Sequence, residues 1–297
     1  MKTILSTLVR GTIAAAAIAA VTTAASAAGG ARHVEHQKWS FAGPFGSYDR
    51  GALQRGFQIY KEVCSSCHSM RLVSFRNLSQ PGGPEFSEEE VKALAAEYTV
   101  QDGPNDEGEM FEREGKPFDR FPSPFPNVQA AKSANSGAYP PDFSLLAKAR
   151  ATERGFPWFV FDIFTQYQEG GPDYIYQLLT TYEESPACGE DADGFYNATF
   201  AVGGVPDGCK DEHGHTTIEG TYIAMAPPLS EDLVEYTDGT PQTVKQYAED
   251  VVTFMMWAAE PKLEARKAMG FRVMLFLVVF AGMLYFVKRK LWSKIPH

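Results

Sequence analysis

Residues 64–68 read Cys-Ser-Ser-Cys-His, and this run constrains the chain more than any other feature. Two thiols two residues apart can each form a thioether to one vinyl group of a haem. The histidine that follows is placed to coordinate the iron from one face. This is the attachment signature of c-type haem. It commits the surrounding chain to enclosing a large, flat, apolar group, and it implies assembly in a periplasm-like compartment. Other uses of a Cys-x-x-Cys run fit less well. A redox dithiol sits on a strand-to-helix turn of a thioredoxin-like βαβ pattern, and no such pattern surrounds Cys64. A structural zinc site needs a second nearby Cys or His pair, whereas Cys188 and Cys209 lie more than a hundred residues further on.

Both ends of the sequence agree with export. Lys2 and Arg10 precede or flank an Ala-rich apolar stretch from Gly11 to Val21, and Ala25-Ser26-Ala27 supplies small residues for cleavage. Residues 1–27 therefore read as a cleaved signal peptide. Near the other end, Val273 to Val287 carries no charge, with Arg272 at one edge and Lys288, Arg289, Lys290 and Lys294 following. That segment can span a bilayer, and the basic cluster predicts a cytoplasmic C-terminus under the positive-inside rule. The expected layout is a signal peptide over 1–27, a periplasmic haem c domain over 28–267, a transmembrane anchor over 268–288 and a short basic cytoplasmic tail over 289–297. The chain is then a single-pass protein of a bacterial inner membrane.

Charge follows the same division. The chain has 37 acidic and 27 basic side chains, net −10. The two terminal segments, 1–27 and 271–297, hold seven of the bases and no acid. The remaining 20 bases face 37 acids, a net of −17 for the exported part. Such a surface excludes nucleic acid as a natural partner. It would attract a basic protein and speed the encounter, although solubility alone also accounts for it.

Between the ends the pattern is mainly helical with long irregular insertions. Asp49 reads as an N-cap for a helix whose Leu53, Phe57 and Tyr60 lead into Cys64. Ser87 and Glu90 form a capping box for a helix to about Tyr98. Residues 101–141 read as loop: an acidic stretch (Asp102, Asp106, Glu107, Glu109, Glu112, Glu114), then six prolines from Pro117 to Pro141. A short helix is expected over 143–150 and another from Pro172 to Thr181. Between them, 156–167 is rich in aromatic residues. Residues 185–221 are Gly- and Asp-rich and look irregular. They contain Cys188 and Cys209, which an oxidising compartment would join, closing a loop of roughly 20 residues worth about 3 kcal/mol in the chain-entropy account. A last soluble helix runs from about Thr243 to Ala259, with Val244, Tyr247, Val251, Phe254 and Trp257 or Met255 on one face, and Pro261 separates it from the apolar segment.

A low-spin electron-transfer haem needs a second axial ligand, and the candidates are Met70, Met110, Met225, Met255, Met256, Met269, His33, His36, His213 and His215. Met70 is too near His68 to reach the opposite face. Met255 and Met256 sit at core positions, and Met269 lies at the membrane. Met225 lies in Ile223-Ala224-Met225-Ala226-Pro227-Pro228-Leu229, where an apolar flank can seal a haem edge and the prolines stiffen the loop. His213 and His215 are its rivals on this reading.

These features, with Arg55-Gly56-Phe57-Gln58-Ile59-Tyr60, Gln101-Asp102-Gly103-Pro104-Asn105, Gly108-Glu109-Met110-Phe111, Pro140-Pro141-Asp142, Lys148-Ala149-Arg150, the Met225 segment and Trp257-Ala258-Ala259-Glu260-Pro261, give a chain that resembles the cytochrome c1 family, the haem-bearing subunits of ubiquinol–cytochrome c oxidoreductase (cytochrome bc1) complexes. The resemblance runs from about Trp39 to Trp292. It implies a mainly α, c-type cytochrome fold with one haem c. Cys64 and Cys67 are then the thioether sites, His68 the proximal and Met225 the distal iron ligand, and Arg150 and Tyr174 neighbours of the haem propionates. The aromatic-rich insertion at 151–171 and the Cys188–Cys209 pair resemble bacterial members, and by its position the pair is expected to brace the segment leading to Met225.

The activity implied is electron carriage without bond-making on a substrate. The subunit would accept one electron from a Rieske iron–sulfur protein, beside cytochrome b, and pass it to a soluble or tethered c-type cytochrome, in a dimeric complex. The alternative is another membrane-anchored c-type cytochrome, such as an oxidase subunit.

Overall fold

A computed structural model describes residues 32–152 and 154–294. The expected signal peptide lies outside these residues, as do 295–297 of the expected tail. Among the described residues there are eight α-helices: α1 (Arg50–Glu62), α2 (Glu88–Ala96), α3 (Val128–Ala134), α4 (Leu146–Ala149), α5 (Trp158–Thr165), α6 (Gly170–Thr180), α7 (Val244–Ala259) and α8 (Leu263–Trp292). Four short strands form two antiparallel pairs, β1 (Thr99–Asp102) with β2 (Phe111–Glu114), and β3 (Phe195–Asn197) with β4 (Thr221–Ile223). The class is mainly α with one long apolar helix at the C-terminal end.

The chain divides into two compact units. The larger comprises 34–180 and 224–297. In it α1 begins where Asp49 accepts the Ala52 N–H at 2.8 Å, satisfying a donor that the first turn leaves free. Leu53, Phe57 and Tyr60 are buried, as their spacing predicts. They meet α7, which Thr243 caps by accepting from Gln246 N at 3.3 Å and whose Tyr247, Val251, Phe254, Met255 and Trp257 are all buried. The helices approach closely because residue 56 is glycine: a Cβ there would collide with the Asp250 carbonyl. Next to this crossing, Arg55 grips the buried Asp250 with two bonds of 2.9 Å, and Tyr236 donates to the same carboxylate at 2.9 Å. Phe57, Tyr60, Phe121 and Phe254 pack with ring centroids 5.7 to 6.1 Å apart. Burying each such side chain contributes on the order of 2 kcal/mol.

The Ser87–Glu90 capping box forms as expected, with bonds of 2.7 and 3.2 Å. Its helix, α2, stops at Ala96, short of Tyr98. The region read as loop, 101–141, holds more structure than its sequence advertises. Its first part pairs as β1–β2, and Arg113 ties Asp102 to Asp119 across the turn. Both strands are largely exposed, so no alternation of apolar residues marks them. α3 follows, capped by Asn127 at 2.9 Å. The aromatic-rich stretch forms α5, and α6 starts at Gly170, ahead of Pro172.

α8 has 30 residues, about 45 Å at 1.5 Å per residue, enough to cross a hydrocarbon core of about 30 Å. Its root is clamped to the same unit. Arg50 forks Glu264 with two bonds of 2.8 Å, and Tyr48 N donates to Glu264 at 2.9 Å. The Lys267 ammonium donates to the Phe41 carbonyl at 2.6 Å.

The smaller unit comprises 181–223 and the residues up to His33. Its irregular look in sequence hides the β3–β4 pair. The Cys188–Cys209 disulfide is present, as expected, with Cα atoms 5.1 Å apart. Arg32 adds ion pairs to Glu183 at 2.6 Å and Glu219 at 2.8 Å.

Candidate haem-binding site

α1 delivers the Cys-x-x-Cys-His run at its C-terminal end. After Val63 the chain tightens into a 3₁₀ turn over Cys64–Ser66, and His68 N donates to Cys64 O at 2.9 Å. The two intervening serines serve this turn. Ser65 Oγ donates to Lys61 O at 2.8 Å and Ser66 Oγ to Val63 O at 3.0 Å, satisfying carbonyls that a helix end leaves without partners. Cys64 and Cys67 are partly buried thiols and are not bonded to each other. Burial, with Cys67 adding to it, pushes the Cys64 thiol up to about 12.

His68 is buried. Its Nδ1 lies 2.9 Å from the carbonyl oxygen of Pro141. Only a donor can serve a carbonyl, so Nδ1 carries the proton and Nε2 keeps a lone pair for a metal, the arrangement that fixes a ligating histidine. The Phe143 ring stacks on the imidazole at 4.2 Å. Burial lowers the pKa of His68, against the opposing effect of the Pro141 carbonyl, which favours the neutral, ligating form.

The carbonyl is itself held in place. Asp142 accepts from Ser69 Oγ at 2.7 Å, from Arg71 N at 3.0 Å and from Ser144 N at 2.9 Å. Phe143 N donates to Ser69 O at 2.8 Å. The segment 141–144 is thus laced to the residues that follow the motif. Burial alone would raise the Asp142 pKa, but the hydrogen bonds from Ser144, Arg71 and Ser69 outweigh it and hold the carboxyl below its ordinary value.

Met225 sits half-buried in a bend that follows β4. Of its competitors, Met70, Met255 and Met256 are packed in the core, and Met110 and Met269 are exposed. His213 and His215 are exposed in the smaller unit, where His215 Nδ1 lies 3.3 Å from Asp211. Arg150 is exposed at the C-terminal end of α4, and Tyr174 is half-buried on α6. The two helices pack tightly because Gly171 has no Cβ to strike the Ala147 carbonyl. Burial raises the Tyr174 pKa, and the nearby Arg150 charge opposes that rise.

The donor set fits a covalently attached haem: two unbonded thiols, a buried imidazole with a free Nε2, and aromatic walls from Phe143 and Tyr60, whose hydroxyl donates to His68 O at 3.2 Å. Among the described residues no group of three or more His, Cys, Asp or Glu is arranged to hold a metal ion. Sequence reasoning missed the parts that hold His68, namely the Pro141 carbonyl, Asp142 and Phe143. The only signal for them was the Pro140-Pro141-Asp142 match.

The profile of the Cytochrome C1 family matches residues 39–295. The chain is 47% identical to a protein named Cytochrome c1 from Cereibacter sphaeroides, over 95% of each chain. It is 44% identical to Cytochrome c1 of Rhodospirillum rubrum, over 99% of this chain and 100% of that one. It is also 53% identical to Cytochrome b/c1 of Bradyrhizobium diazoefficiens over 86% of its own length, and it spans 35% of that longer relative.

Proposed function

The chain belongs to the cytochrome c1 family, the electron-transfer subunits of the cytochrome bc1 complex, and on that premise we propose that it takes one electron from a Rieske iron–sulfur protein and passes it to a c-type cytochrome. Members of the family carry one covalently bound haem c. That group supplies a one-electron iron couple. Cys64 and Cys67 would hold it by thioethers, His68 Nε2 and Met225 Sδ would ligate its iron, and Arg150 and Tyr174 would serve its propionates. The observation that carries this reading is the His68–Pro141 bond, which presents Nε2 beside two unbonded thiols.

The single-pass inner-membrane reading rests on α8 and the bacterial relatives. We orient it from charge. The basic tail 289–297 stays in the cytoplasm, 268–288 spans, and the haem domain, 28–267 after loss of 1–27, lies in the periplasm. Cytochrome b is the natural neighbour in the membrane, in keeping with a relative whose name joins b and c1 in one longer chain. A dimeric complex follows the same family pattern. On the outer side, Asp106, Glu107, Glu109, Glu112 and Glu114 are exposed along the β1–β2 hairpin, a surface suited to steering a basic acceptor.

Purification from the native membrane in mild detergent, followed by a redox spectrum and iron–sulfur detection, tests the assignment. Recovery of haem c with haem b and a Rieske-type cluster is the expected result. Haem c with oxidase haems and copper, or alone, would leave the haem site standing and remove the partners.

A further inference from the structure

The α5 helix carries Trp158, Phe159, Phe161, Ile163 and Phe164, with Phe156 just before it, and each is between 53 and 81% exposed. A soluble domain rarely leaves so many large apolar side chains together in water. The helix has one charge, Asp162, and this is turned to Arg154 in an ion pair of 2.6 Å. Arg154 in turn lies over the rings of Trp158 and Tyr167, 5.4 and 4.3 Å from their centroids. The one charge of α5 is thus satisfied by its own unit, and the apolar side chains around it are left exposed.

Its position gives the apolar side an occupant. Gln166 and Tyr167 alone separate α5 from Gln168, whose Oε1 accepts from Arg266 Nη2 at 3.4 Å. Three residues reach at most about 10 Å, so the end of α5 lies at the root of α8. On the same root, Glu169 accepts from Gly43 N at 3.4 Å, and Lys267 holds the carbonyls of Phe41 and Gly46 at 2.6 and 3.3 Å. That loop carries Phe45, 80% exposed, its ring 6.0 Å from Phe271 at the start of the apolar stretch of α8. Two segments distant in sequence therefore set exposed aromatic residues around the point where α8 leaves the domain. Aromatic belts and short helices with an apolar face mark the lipid–water boundary.

We propose that α5 is a second membrane contact of this chain, lying in the plane of the outer leaflet with Trp158, Phe161 and Phe164 in the boundary between headgroups and acyl chains, and with Phe45 completing the contact beside α8. The contact fixes the tilt of the haem domain over the membrane, which a single helix cannot do. It rests on the reading of α8 as a membrane span.

The test places nitroxide labels on Phe161→Cys and Phe164→Cys in the intact complex in lipid nanodiscs, with Leu277→Cys in α8 as a reference. Collision with oxygen, which partitions into lipid, is compared with collision with a water-soluble nickel chelate. An unchanged haem spectrum identifies folded variants. The expected result is loss of nickel collisions with retained oxygen collisions at all three positions, deeper at 277. Nickel collisions at 161 and 164 with a lipid-like 277 would overturn the proposal while the span stands. So would collisions with neither reagent, which would mean that another subunit covers α5. Nickel collisions at 277 would overturn the span reading and the proposal together.

Discussion

His68 Nδ1 donates to the carbonyl oxygen of Pro141 at 2.9 Å, across 73 residues of chain. The bond joins the end of α1 to the segment before α4, and it decides which ring nitrogen keeps its lone pair. Its strength depends on groups around the bond as well as on the bond itself. Asp142 pins the segment through Ser69, Arg71 and Ser144, and Phe143 closes the ring face.

Asp142→Asn tests that support. The carboxyl is held below its ordinary range, so the stability it contributes is fully present above the unfolded value, near 3.9, and is lost as pH falls through the lower folded value. The variant should be destabilised by about 1–3 kcal/mol at neutral pH, as for a lost charge-assisted acceptor. Denaturant unfolding of both proteins at pH 7 and in acid measures the gap, which should narrow in acid. An equal gap at both values would contradict the role given to its charge.

Met225→Leu keeps the volume and removes the sulfur. The haem should stay attached on a denaturing gel, the ferrous form should bind carbon monoxide where the parent does not, and the midpoint potential should fall with loss of the thioether. A variant that refuses carbon monoxide and keeps the parent spectrum would send the search for the distal ligand to the histidines.

Removing the disulfide with Cys188→Ala and Cys209→Ala opens a loop with a sequence separation of 21. The expected loss is about 3 kcal/mol within the smaller unit, seen as faster hydrogen exchange at β3 and β4. If the pair braces the segment leading to Met225, carbon monoxide binding should rise as well. Faster exchange with unchanged ligation would confine the bridge to its own unit.

Glu264→Gln weakens the clamp at the root of α8. The pair with Arg50 is bidentate but partly exposed, so the cost should be about 1 kcal/mol, a fall of about 2–4 °C in Tm for a unit of this size. Thermal unfolding followed at the haem absorbance measures it, and no shift would show the clamp to be idle.

Electrostatic steering predicts that the rate of acceptor reduction falls as salt rises past about 0.1 M, where the Debye length is about 10 Å. Replacing Glu107, Glu109 and Glu112 with glutamine should flatten that dependence. Asp102 should not contribute, since Arg113 engages it. A flat salt profile in the parent would count against steering.

The elements legible in the sequence are those whose signals are local. Asp49, Ser87 with Glu90, and Thr243 each announce a helix start and each caps one. The 3.6-residue spacing of Leu53, Phe57 and Tyr60 marks a buried face, and Val273 to Val287 marks α8. The β1–β2 hairpin was not legible because both its faces are wet and a cross-strand arginine, not an apolar pattern, holds it. At the site, the Cys-x-x-Cys-His signal is local, and it is what puts Cys64, Cys67 and His68 forward as candidates. The support of His68 was not legible, because its partner is a backbone carbonyl, which any residue at 141 would possess. The aromatic richness of 156–167 is plain in the sequence, but its exposure on α5 is a matter of tertiary packing, which no local pattern carries.

If this chain carries electrons out of a quinol-oxidising complex, its haem must fill before the acceptor does. Rapid mixing of the oxidised purified complex with quinol, with and without its Rieske cluster, follows that order. The c-type absorbance of this subunit should be reduced within one turnover, before added c-type cytochrome, and removing the cluster should abolish the change. Reduction of the acceptor while this subunit stays oxidised, or equal reduction without the cluster, would contradict that role.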